Sequence, residues 1–164
     1  MERFSMADNS SLQTSRGMTL SGWRHLSFIG FSLLLSGGVM AEDQRQLATL
    51  PRPAQEVLRL EMLDNLVSLN EILTLVAAGK FKDAGETAEQ KLGLSAQGKH
   101  RGKPFDARPG PHMPPAMHAL GMEGHKSASE FARIAASGEY NKTVAALPRL
   151  TSACVSCHAV YRIR

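Results

Sequence analysis

The chain has 164 residues, two cysteines and a formal net charge of +4. Two cysteines cannot complete a four-cysteine zinc site, and the basic residues are not interleaved with aromatics, which argues against a nucleic-acid surface. If the first 41 residues are removed as argued next, about one domain's worth of chain remains, with sixteen Lys and Arg against thirteen Asp and Glu.

From Leu26 to Val39 the chain is apolar, preceded by Arg24 and His25 and followed by Val39-Met40-Ala41, a small-x-small cleavage pattern. That is the layout of a secretory signal peptide cut after Ala41, so residues 1–41 are expected to be absent from the mature protein. The apolar run is short for a membrane span, and no stable membrane insertion is expected after cleavage. The segment before the run is long, and a start at Met18 would give a signal of ordinary length. Residues 42–164 then form the domain.

Glu42–Pro53 reads as a polar lead-in. A first helix is predicted over 54–78, entered through Pro53. Its inward stripe is Val57, Leu58, Met62, Leu66, Leu69, Leu73 and Val76, and Gly79 is its stop. A second helix over 81–96 carries a stripe of Phe81, Ala84, Ala88, Leu92 and Ser95, and the short Gly79-Lys80 link packs the two antiparallel. Residues 98–115 form a Gly- and Pro-rich loop with a loose basic cluster, Lys99, Arg101, Lys103 and Arg108, read as solvated; His100 and His112 in the same loop are expected to be solvated as well.

A third helix over 115–137 places Met117, Gly121, Gly124, Ala128, Phe131 and Ala135 on one face. Two glycines there allow close approach of a bulky partner, either another helix or a flat prosthetic group. A fourth helix starts near Glu139, with Leu147, Leu150, Cys154, Cys157, His158 and Tyr161 on one face and Pro148 expected to kink or interrupt it. No strand pattern is visible. The expected fold is all-α, an antiparallel four-helix bundle.

The most specific signal is Cys154-Val155-Ser156-Cys157-His158, the spacing of a c-type haem attachment site. Two thiols at i and i+3 add to the haem vinyl groups as thioethers, and the imidazole at i+4 reaches the iron from the same helix face. A disulfide, half a zinc site or a thioredoxin-like pair are the alternatives. The last requires a strand before the pair and a helix after it, whereas here a helical stretch precedes the pair and six residues follow His158. One covalent haem c is therefore expected, with the haem fixed at Cys154 and Cys157 and His158 as proximal ligand.

Four helices with this motif close to the C-terminus, followed by Tyr161 and Arg162, resemble the cytochrome c′ family over roughly residues 54–164. The resemblance implies a periplasmic protein, redox partner proteins and, as in many members, a homodimer through the first two helices. It divides two functions. Low-spin members take a methionine of the first helix as distal ligand, and Glu61-Met62-Leu63-Asp64-Asn65 is similar to that pattern, with Met62 at the ligand position. A closed iron would then make the protein a carrier of single electrons and no enzyme. High-spin members lack the methionine ligand and bind nitric oxide or carbon monoxide, the alternative if Met62 stands off the iron. Arg162, four residues after His158, is implied to lie near the proximal side of the haem. His118, Met122 and His125 share a helix face that suggests a second metal site, against which stands the lack of any carboxylate or cysteine to complete it.

Overall fold

The computed structural model describes residues 42–164; the expected signal segment and the alternative start at Met18 lie outside them. The order of elements is β1 (Gln46–Leu47), α1 (Arg52–Ala77), α2 (Phe81–Lys91), α3 (Pro115–Ala135), α4 (Tyr140–Val160) and β2 (Tyr161–Arg162). The described residues are all-α apart from this pair of two-residue strands.

Proline opens α1 and α3, where a missing backbone N–H costs nothing because the first turn has no intrahelical acceptor for it. Gly79 ends the first helical segment with φ +72°, the left-handed turn that favours glycine. The second helix is shorter than its pattern, stopping at Lys91, and Leu94–Ala96 is a separate 3-10 turn. Two further 3-10 turns, Phe105–Ala107 and Gly110–His112, stiffen the loop. Pro148 does not interrupt α4, which runs unbroken past it with the proline on the exposed side.

Two apolar clusters hold the helices. The first joins Ile72 and Val76 of α1, Ala84 and Ala88 of α2, Ala128, Phe131 and Ala135 of α3, and Ala146 and Leu150 of α4. Its many alanines let helix backbones approach closely, and Gly85 is part of the same economy. A Cβ built on Gly85 would stand 2.9 Å from the Ala132 carbonyl oxygen and 3.2 Å from the Ala135 Cβ. Gly85→Ala should therefore cost about 1–3 kcal/mol by overpacking, read as a fall in denaturation midpoint. Gly121→Ala meets nothing within 4 Å and should leave the stability of the chain unchanged or raise it by up to about 1 kcal/mol through helix propensity.

The second cluster was not anticipated. Ala48, Leu50, Ala54, Leu58, Met117 and Tyr161 are all buried together. The lead-in is thus a packed strap rather than a polar tail: β1 pairs in parallel with β2, Gln46 opposite Tyr161 and Leu47 opposite Arg162, and the Ala48 N–H donates to the Arg162 carbonyl at 2.8 Å. Asp43 and Arg45 form an ion pair at 2.7 Å. The Arg45 hydrogen bonds to the Asp43 carboxylate hold its pKa down to about 2. That contribution is present above the ordinary aspartate range and lost as pH falls through about 2; on an exposed pair it is small.

Candidate functional site

α1 and α4 are antiparallel. Leu58 shares the second cluster with Tyr161, and Ile72, about four turns further along α1, shares the first with Leu150. Between these two levels the helices are not joined by a protein core. The most extensive close backbone approach links α3 to α4, α2 to α3 and α1 to α2.

The flank of α1 between the clusters is apolar and uncovered: Met62 is 36% exposed and Leu66 63%, with Leu69 half-buried. This corrects the expected stripe, of which Leu58 and Val76 are buried while Met62, Leu66 and Leu73 are exposed; Ser68 and Ile72 are buried instead. Two contacts orient the flank. Leu58 packs in the cluster of Tyr161, and the Arg59 guanidinium donates to the Arg164 carbonyl. Met62, one turn beyond both, is therefore turned toward the C-terminal segment. The adjoining side of α1 faces the loop, where Glu61 forms an ion pair with Lys99 at 3.3 Å and a hydrogen bond with His100 at 3.2 Å. His100 is thus half-buried and hydrogen-bonded to Glu61 of α1, not solvated as its loop position suggested.

On α4 the same interval carries Cys154, Cys157 and His158. Both cysteines are free thiols. Cys157 is half-buried against the second cluster, whereas Cys154 and His158 are exposed. The His158 ring has no hydrogen-bond partner among the described residues; its backbone carbonyl accepts a long bond from Arg45 Nη1 at 3.4 Å. On α3, Gly121 is open and Gly124 would bring a Cβ only to ordinary contact with Ala153 at 3.7 Å. No helix occupies the space over Gly121, so close helix packing is not what that glycine serves among the described residues.

Partial burial pushes both thiols above the ordinary cysteine range, and for Cys157 the Cys154 charge adds to it. They also sit in the last two turns of α4, where the negative end of the helix dipole disfavours a thiolate. A dithiol oxidoreductase needs the reverse, a thiol acidified at a helix N-terminus. Alkylation of the free thiols by iodoacetamide should be slow at neutral pH and accelerate only above the pH at which a free cysteine reacts.

Arg162 is not on the helix face with His158. The helix ends at Val160, and Arg162 lies in the extended β2, its Nε donating to the Arg45 carbonyl at 3.2 Å with Asp43 at 3.6 Å. It fastens the strap. Its partners Asp43 and Arg45 went unnoticed in the sequence, although the alternation Ala48, Leu50 is a period-two signal for a half-buried extended segment.

The helix-face trio of α3 also disperses. His125 Nδ1–H donates to the carbonyls of Leu92 at 2.7 Å and Gly93 at 3.1 Å, capping α2. Met122 accepts from Gln97 Nε2 at 3.7 Å, and His118 lines a shallow cleft with Gly110, Pro111, Met113 and Pro115. No group of three or more His, Cys, Asp and Glu side chains is placed to hold a metal among the described residues. His112 is hydrogen-bonded to the Phe105 carbonyl at 3.1 Å and stacked edge-on to that ring.

No helix among the described residues is long and apolar enough to cross a membrane. Comparison with protein-family models, curated proteins and solved structures gives no match for this chain.

Proposed function

We propose that this is an exported c-type cytochrome of the cytochrome c′ kind, a four-helix bundle that carries single electrons and works with redox partner proteins. The observation that carries the reading is the uncovered interval itself: an apolar flank of α1 and an open glycine of α3 lie at the level where α4 presents two free thiols and an imidazole, neither flank nor imidazole partnered among the described residues. A polar cleft or a water-filled gap would not call for Met62, Leu66 and Leu69 at its edge, whereas a flat apolar macrocycle would cover them. The residues present fit haem c on chemistry as well. Thiols kept protonated are spared oxidation and remain available for thioether formation, and the His158 ring is free to act as a ligand.

In this reading Cys154 and Cys157 hold the group covalently, His158 ligates from the α4 side and Met62 from α1. Haem supplies reversible one-electron exchange, and a thioether opposite imidazole favours the reduced state. The first cluster, anchored by Phe131, sets the spacing of α1 from α4 at one end of the site, and the strap with Tyr161 sets it at the other. Arg162 acts on the proximal side only through the strap. The back of α1, with Leu60, Leu63 and Val67 all exposed, suits the homodimer that the resemblance implies, and sedimentation of the purified protein checks it.

A second reading has its own support. Met62 belongs to neither packed cluster, and a side chain not held by core packing is readily displaced. A protein in which it stands away from the iron would bind nitric oxide or carbon monoxide. Acid–acetone extraction of the purified protein tests the shared part: haem should stay with the polypeptide, with a mass equal to protein plus one haem, and haem in the organic layer would end both readings. The ferric visible spectrum then separates them, six-coordinate low-spin for the carrier and five-coordinate high-spin for the gas-binding protein.

A further inference from the structure

The loop between α2 and α3 is the other feature that stands out, and what holds the helices together does not account for it. Residues 42–164 carry sixteen Lys and Arg against thirteen Asp and Glu. Four of those bases and one of the acids lie between 99 and 108, so outside this loop twelve bases face twelve acids. The whole net charge of the described protein is gathered on ten residues. Lys99 is tied to Glu61 beneath it. Arg101, Lys103 and Arg108 have no ion-pair partner among the described residues, and Arg101 and Lys103 are exposed.

In the middle stands Phe105, 63% exposed. Its ring is not adrift: the His112 ring lies edge-on to it at 5.0 Å, and Pro104 precedes its 3-10 turn, which packs on α1. Arg108 Nε donates to the Lys103 carbonyl at 2.7 Å, closing the turn around the phenyl. The result is a rigid aromatic knob with a cationic rim. An aromatic anchor at the centre of a polar, charged ring is the anatomy of a protein docking site, and the rim's sign selects the partner's.

We propose that the loop 99–108 is the docking surface for an acidic partner protein, with Phe105 as its anchor and Arg101, Lys103 and Arg108 as its steering charges. A lipid surface suits it less, because one aromatic ring held in a proline-stiffened turn offers little apolar area for insertion. The proposal rests on the charge and exposure of this loop and stands whatever the cysteines of α4 carry.

The test uses the mature protein titrated into a fluorescently labelled plant-type ferredoxin, a small acidic protein, with binding read by anisotropy at low and at high salt. Binding should be present at low salt and weaken with salt. The double reversal R101E/K103E should weaken it by at least about tenfold, whereas K82E/K142E, an equal change of net charge on residues of α2 and α4 outside the loop, should change it by less than about threefold. Phe105→Ser should weaken binding several-fold with the salt dependence kept. Equal losses for the two double reversals, or no binding by the wild type, overturn the proposal. So does tighter binding to phosphatidylglycerol vesicles that the loop reversal abolishes, which would make the loop a membrane contact. The absorbance of the same samples reports haem content separately, so a failure of the cytochrome reading is not confused with a failure of this one.

Discussion

If the proposed haem is bound, replacing Met62 by alanine is expected to convert the ferric protein from low spin to high spin or water-bound, to open it to carbon monoxide and nitric oxide, and to lower its reduction potential. The thioether is the soft ligand that favours the ferrous state. Met62 is 36% exposed and outside both apolar clusters, so its truncation should leave the chain folded with a loss well below the ~2–5 kcal/mol of a buried methionine. The spectral change is thereby separated from unfolding. Met117→Ala is the opposite control. Met117 is 7% exposed in the second cluster, so that change should cost stability in the core range and leave the axial ligands as they were. Met122→Ala should alter neither. Persistence of the methionine-to-ferric charge-transfer band in the Met62 variant would move the ligand elsewhere, and a wild type already five-coordinate would favour the gas-binding reading.

Phe131→Ala should be among the most damaging single changes to the fold, at about 3–5 kcal/mol. Phe131 is 1% exposed and is the largest fully buried side chain described. The upper part of that range is expected because five of the eight other buried members of its cluster are alanines, Ala84, Ala88, Ala128, Ala135 and Ala146, too short to swing into the void. A native domain holds only about 5–15 kcal/mol in total, so the loss is a large fraction of its stability. Urea unfolding should show a lower midpoint at unchanged slope. Phe105→Ala, on a ring 63% exposed, should shift the midpoint little. Near-equal effects of the two would mean that the first cluster is not the core.

The four helices were legible because periodicity, proline entrances and the left-handed Gly79 are local, set by residues three or four apart. The cysteine–histidine spacing was legible for the same reason, since its three side chains lie on one helix and need no tertiary information to share a face. What the residues alone could not decide is which apolar positions find protein partners. Leu58 and Met62 read identically in the stripe of the first helix, yet Leu58 meets Tyr161 and Met62 meets no core, because the strap of residues 43–50 closes one end of the bundle and stops short of the next turn. Burial there depends on which segments arrive from far along the chain. Arg162 shows the same limit: it comes only four residues after His158, yet a parallel strand pair with residues more than a hundred positions earlier draws it off the helix. The cysteine–histidine motif was therefore set by the sequence alone, while the strap, the uncovered interval and the ion pair that holds the basic loop on α1 were decided by tertiary packing, because each depends on distant segments competing for one surface.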